Sequence, residues 1–479
     1  MTNGCKYFSN GTPVPGHQFD YAFDTIGNRT QTKAGGDTNG ANLRVANYYA
    51  NNLNQLTNRD IPAYVDVMGA SLLTNSVTVN GNTAYRNQEY YRQQIPANNG
   101  SSALWTNIIV SGGQSVTGNV YVAAQPETFM YDADGNLTND GRWAYTWDGE
   151  NRLTKMVVNT NVGPQYTLAF AYDPKGRRIQ KVVITNGVTI YTDNFLYDSW
   201  NLISTLNSSL SLLNSYVWGN DLSGSLQKAG GVGGLLEVSY QGFAMTNCFP
   251  AYDGNGNVTA LVNAADGTLA ANFDYGPFGE PIRMTGAMAK NDPFRFSTKY
   301  DDDEDDLLYY GYRYYKPSTG AWLSRDPLGE AGFNLLRTPK KYSVNQCQSC
   351  KKGTSMKVNV AGGNIYNFVN DDPLTEYDTL GTTPGMAIGY LIDAIMNGLE
   401  KTVKTGGPIA LCRCAGCLAA IDEQLGACAV YTSGDDWVEC ICSALKNSKA
   451  TKGLCVTCAF GGNPINWVRN YIGCDSIGD

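Results

Sequence analysis

The chain has 479 residues, enough for a substantial core in one very large domain or in two to four ordinary ones. Its 53 Gly and 31 Tyr beside a charged fraction of only 16% point to many turns and half-buried aromatic strands, an all-β bias. A net charge of -8, without a Lys/Arg cluster interleaved with aromatics, argues against nucleic-acid binding by the bulk of the chain. The single histidine, His17, sets aside histidine triads, His-metal nucleases and mixed Cys/His zinc sites elsewhere.

At the N-terminus, His17 lies in a polar stretch and is expected at the surface. The opening Met1 to Lys6 lacks the charged and apolar regions of a signal peptide, which fits a piece of a longer gene product better than another export route. No run of roughly eighteen apolar residues occurs, so no transmembrane helix is expected.

A repeat follows: an aromatic-Asp pair, a short turn with Gly, then Asn or Arg and an apolar-polar strand. It reads Phe23-Asp24 with Gly27-Asn28-Arg29, Tyr131-Asp132 with Gly135-Asn136-Leu137, and Trp147-Asp148 with Asn151-Arg152-Leu153. Further copies are Tyr172-Asp173 with Gly176-Arg177-Arg178, Tyr197-Asp198 with Asn201-Leu202, and Tyr252-Asp253 with Gly256-Asn257-Val258. The copies at 131, 147, 172 and 197 are spaced 16, 25 and 25 residues apart, one hairpin per repeat. Asp and Gly-Asn supply the side-chain bonds and positive φ of a tight turn. A lone hairpin is marginal in water and must stack on its neighbours. The expectation is one continuous, curved antiparallel sheet over residues 19–300; an ordinary Gly-rich β-sandwich is the alternative.

These repeats resemble YD repeats, and residues 273–381 resemble the Rhs repeat-associated core domain. The core resemblance rests on Phe273-Asp274-Tyr275-Gly276-Pro277-Phe278-Gly279-Glu280, Phe294-Arg295-Phe296, the run Tyr309 to Tyr315, Thr319-Gly320 and Asp326-Pro327-Leu328-Gly329. It implies a spiralling antiparallel β-hairpin shell over 1–272, a core plug domain with aspartyl autoprotease character over 273–382, and a variable C-terminal domain over 383–479. Six repeats are too few to close such a shell, so an upstream shell portion or a partner chain is implied.

With no histidine in the core, a peptide-cleaving site there falls to paired carboxylates, Cys, or Ser with Lys. Two close carboxylates cannot both ionise, so the pair holds a proton and serves as base toward water and acid toward the leaving amine. The family carries two DPxG motifs whose aspartates form such a pair. Asp326 heads the intact first motif, and Asp378 aligns with the second, where Thr379 replaces the usual Pro and Thr382 an apolar residue. Arg313, thirteen residues before Asp326, occupies the place of an arginine in the toxin-complex relatives. The resemblance implies a single-turnover cut between Thr382 and Thr383, with no cofactor and no metal. The alternative is that Asp326 and Asp378 cap turns and Arg313 pairs with either.

The 52 residues separating Asp326 from Asp378 exceed the family's spacing, and an insertion near 336–359 carries Cys347-Gln348-Ser349-Cys350. Zinc, redox and local disulfide roles stand open for it, with a plain surface insertion preferred. The acidic run Asp301 to Asp306 is expected as a solvated turn, since the spacing of a calcium loop is absent.

Beyond Gly381 the spacing becomes helical, with Ile388, Leu391, Ile392, Ile395, Met396 and Leu399 on one face. Nine of the 13 cysteines follow: Cys412, Cys414, Cys417, Cys428, Cys440, Cys442, Cys455, Cys458 and Cys474. They suggest a disulfide-stapled α-helical module, the runner-up being a zinc site at Cys414, Cys417, Cys455 and Cys458. Two functions are therefore carried forward. One is a bacterial secreted or cell-surface shell, its export route not visible in this chain, that encloses its own C-terminal segment as an effector-like cargo and releases it by aspartyl autoproteolysis. The other is a non-catalytic extracellular structural or adhesive protein with a degenerate cleavage motif.

Overall fold

The unit of the fold is the Asp-headed turn. Asp24 Oδ1 accepts the backbone N–H groups of Ile26 and Asn28 at 3.0 and 2.8 Å, and Gly27 takes the positive φ (86°) that closes the turn. Asp148, Asp173 and Asp253 repeat this geometry, each accepting from residues two and four positions on at 2.9–3.0 Å. Each turn ends in a register shift, a β-bulge that turns the strand and increases its twist.

The aromatic at or next to the end of the strand entering a turn has a second use. Tyr172, Tyr197 and Tyr275 donate their hydroxyls to the carbonyls of Leu153, Arg178 and Val258 at 2.7–2.9 Å. Trp147 and Trp218 donate their indole N–H to Leu137 and Leu202, both at 2.7 Å. Each acceptor is the first or second residue of an earlier return strand, so the aromatic tip ties one hairpin to another beyond the strand ladder itself.

The computed structural model describes residues 2–241, 245–327, 366, 368–371, 373, 378, 380 and 381. They are mainly β, and no α-helix occurs among them. Fourteen strands from Met130–Tyr131 to Pro281–Thr285 form one sheet in which every strand pairs antiparallel with its chain neighbours. This sheet runs on past residue 272, where the core was expected to begin, through Leu269–Tyr275.

The expected single sheet over 19–300 is corrected in its first part. Asn3–Tyr7 through Leu56–Arg59 build a six-stranded sheet closed by Glu127–Thr128. The chain between these last two strands makes a three-stranded and a four-stranded sheet of its own, because it lacks the Asp-headed turns that propagate a meander. Turn copies also occur where the sequence reading saw none, at Asp37, Asn51 and Asn207, where Asn serves as well as Asp and no Tyr or Trp precedes the residue. The Tyr197-Asp198 copy differs: Asp198 pairs directly with Asn201 around a two-residue turn with Ser199 at φ 51°.

The tyrosine-rich run forms the middle of a four-stranded sheet made by Tyr300–Asp302, Leu307–Tyr309, Tyr314–Lys316 and Ala321–Trp322. Leu307, Tyr309 and Tyr314 pack with Leu153, Met156, Leu168 and Phe170 of the large sheet. Leu308, Tyr310, Tyr315 and Trp322 pack on the other face with Tyr21, Phe278 and Phe296. A strand buried on both faces has no polar alternation, which is why aromatic residues run consecutively here.

Two surface expectations are also corrected. His17 is buried beside the Tyr90 ring, and the Lys6 ammonium adds to burial in holding its imidazole down at about 4. The acidic run is solvated only at Asp303 and Asp306: Asp302 is fully buried between Arg178 and Lys181, and Asp301 pairs with Arg295 at 2.9 Å. Partners distant in sequence draw Asp302 inward, which a run of acids does not reveal by itself.

Candidate functional site

The site grows from the turn between Leu307–Tyr309 and Tyr314–Lys316. The Tyr310 N–H donates to the Arg313 carbonyl at 3.0 Å, and Gly311 takes φ 105°. The next N–H, of Tyr312, donates to the Leu380 carbonyl at 2.9 Å and pins the distant 378–381 stretch onto this turn.

Arg313 then turns inward, its guanidinium 4.0 Å from the Trp322 ring centroid. Its Nη2 lies 3.1 Å from Asp326 Oδ2 and 3.4 Å from Asp378 Oδ2, and its Nε donates to the Gly381 carbonyl. All three side chains are at most 4% exposed. Burial lowers the Arg313 guanidinium from its ordinary value, while Asp326 and then Asp378 pull the other way.

Asp378 is further held by its own turn. Its Oδ1 accepts the N–H groups of Leu380 and Gly381 at 3.2 and 2.8 Å. Gly381 has φ 73°, and a Cβ there would stand 3.0 Å from both the N and the Cβ of Arg313. The position therefore requires glycine for its backbone and for its space. Two carboxylates, one guanidinium and one held carbonyl converge, the parts an acid–base attack on a peptide bond needs.

The sequence reading named Arg313, Asp326 and Asp378, and the fold brings them together from positions 13 and 65 residues apart. It missed Trp322, four positions before Asp326, whose signal was an aromatic on the strand leading into the first motif. Thr382, Thr383, the 336–359 insertion with Cys347 and Cys350, the 383–479 tail and its nine cysteines lie outside the described residues. Among the described residues no group of three or more His, Cys, Asp or Glu is placed to hold a metal.

No family model matches the chain. Its sequence is 31% identical over 229 residues to the tRNA nuclease WapA of Bacillus subtilis, covering 47% of this chain and 9% of that relative. It is 42% identical over 65 residues to the toxin protein Tse5 of Pseudomonas aeruginosa, 14% of this chain and 4% of that one. Over 98 residues it is 32% identical to the toxin subunit YenC1 of Yersinia entomophaga, 20% of this chain and 10% of that one. This chain is a relative of the Rhs-type YD-repeat proteins. Each match spans a small fraction of the relative's length, so the YD-repeat likeness belongs to a segment of much larger proteins. Among solved structures, the TcdB2-TccC3-Cdc42 complex overlaps with a TM-score of 0.39 at 17% identity, covering 79% of this chain and 18% of that one.

Proposed function

We propose that this chain is the shell-and-core segment of a toxin-type YD-repeat protein that carries the residues after 382 as an enclosed effector-like cargo. It cuts the chain once behind its own core, between Thr382 and Thr383, and acts outside the cell that makes it. The observation carrying this reading is the single Arg313 nitrogen shared by Asp326 and Asp378, with the neighbouring nitrogen of the same guanidinium on the Gly381 carbonyl.

In this reading one aspartate takes a proton from the attacking water and the other gives one to the leaving amine, while Arg313 fixes both carboxylates. Denaturing electrophoresis of the purified full-length chain tests it. The wild type should separate into two pieces whose masses place the cut, and Asp326→Asn should run whole. A wild-type chain that stays whole removes the self-cleavage.

A second reading has its own support, because Asp378 Oδ1 already caps the 378–381 turn through two backbone N–H groups. On that reading the triad is a buried ion pair of a non-catalytic extracellular structural protein. The same gel separates the two.

A further inference from the structure

A second buried cation, Lys299, stands beside the Arg313 turn. Its backbone is fixed at the end of a short 3-10 turn, where its N–H donates to the Phe296 carbonyl at 3.0 Å. Its Nζ donates to the Gly230 carbonyl at 2.9 Å and lies 5.0 Å from the Tyr310 ring centroid. Tyr310 is the residue whose N–H closes the Arg313 turn, and its Cβ would be 3.2 Å from a Cβ placed on Gly381. Lys299, Tyr310, Gly311 and Leu380 line one cavity of about 50 Å³. The ammonium thus lies over the ring of the residue that closes the Arg313 turn, in the cavity that Leu380 of the Asp378 turn also lines.

We propose that Lys299 is a positioning residue of the aspartate site, whose charge keeps Asp378 as the carboxylate that takes the proton of the attacking water. The inference rests on the self-cleavage reading. The step balances without a further reagent. The water oxygen bonds to the scissile carbonyl carbon and gives one proton to Asp378. The C–N bond breaks as Asp326 gives its proton to the leaving nitrogen, and one proton passing from Asp378 to Asp326 restores the pair.

The charged and titratable groups around this contact favour that division of roles. Burial lowers Lys299 to about 8 while the charges of Asp378 and then Asp221 act to raise it, so it stays protonated at neutral pH. Asp378 faces Arg313, Lys299 and the Tyr310 phenol. Asp326 shares Arg313. The two backbone N–H groups on Asp378 Oδ1 also favour its ionised form.

Lys299→Gln in the full-length chain removes the charge and keeps an N–H donor for the Gly230 carbonyl. The acid limb of the self-cleavage pH profile should move up by about one pH unit, and the rate on that limb should fall about tenfold. Lys299→Arg should restore the wild-type limb. A merely structural lysine would lower the amount of folded chain and leave the limb in place, so an unmoved limb, or an equal shift in both variants, overturns the proposal. A second measurement does not need the cut: the full-length Asp326→Asn chain is labelled with carboxyl-¹³C aspartate, and the Asp378 signal is assigned by its loss in Asp378→Asn. Its titration midpoint should rise by about one unit when Lys299→Gln is added. No rise overturns the role of Lys299 even in a chain that never cleaves, whereas a rise in a chain that stays whole sinks only the self-cleavage reading.

Discussion

Arg178 and Asp302 form a two-pronged ion pair in the interior, their side chains 1% and 0% exposed. Lys181 adds a third contact to Asp302 at 3.0 Å, and the rings of Phe170, Phe195, Tyr300, Tyr309 and Tyr314 surround the Arg178 guanidinium within 5.8 Å. This cage fastens the fourteen-stranded sheet to the small tyrosine-rich sheet. Removing one member leaves a buried charge without its main counterpart.

Asp302→Ala should therefore cost about 3–5 kcal/mol in urea unfolding. Asp303→Ala, whose side chain is half exposed opposite Arg295, should change stability by less than about 1 kcal/mol. Equal effects from the two substitutions would show that the cage does not bear on stability.

The aromatic-to-carbonyl bonds make a second prediction. Tyr275→Phe removes only the hydroxyl that reaches the Val258 carbonyl. It should destabilise by about 1–2 kcal/mol, because a buried acceptor loses its donor while the ring packing stays. The same swap at the exposed Tyr49 should be silent within about 0.5 kcal/mol. Chemical denaturation of both variants against wild type checks the pair.

The pH dependence of stability has two opposed parts. The His17 imidazole is lowered from 6.5 to about 4, chiefly by burial, so the unfolded chain binds its proton first and stability falls as pH drops through that window. The Asp292 carboxyl is raised by burial from 3.8 to about 7, so the folded chain holds the proton and stability falls as pH rises through that window. Each effect has an upper size of about 3–4 kcal/mol. Urea midpoints across pH 4–7.5 should show the acid-side loss flattened in His17→Gln and the neutral-side loss flattened in Asp292→Asn. Parallel curves for wild type and both variants would refute the assignment.

Arg313→Lys offers the sharpest probe of the candidate site. A lysine keeps one positive charge but lacks the planar fork that reaches Asp326, Asp378 and the Gly381 carbonyl together, and it stacks less well on Trp322. On the self-cleavage proposed above, the cut should slow by about a hundredfold or more, and the intact chain should accumulate on a denaturing time course. Wild-type kinetics in this variant would place the arginine outside the chemistry.

The turns were legible in the sequence because their requirements are local. An Asp or Asn that bonds forward to two N–H groups, with a residue of positive φ between them, makes the same turn wherever it stands. The aromatic-Asp pattern thus marked Asp24, Asp132, Asp148, Asp173 and Asp253 by residue type alone. The resemblance named Arg313, Asp326 and Asp378, and the fold sets both carboxylates against the one guanidinium. Which charges lie inside was decided by tertiary structure. Asp302 sits in an acidic run that is solvated in isolation, and only Arg178 and Lys181, 124 and 121 residues away, make its burial tolerable. The sole histidine, in a polar stretch, is buried where the Tyr90 ring covers it. Lys299 carried no motif, and it is buried over the Tyr310 ring only because the fold sets its short 3-10 turn against the Arg313 turn. Local backbone preference acts over about five residues, whereas the free energy of a buried charge depends on whatever the fold places within a few ångströms of it.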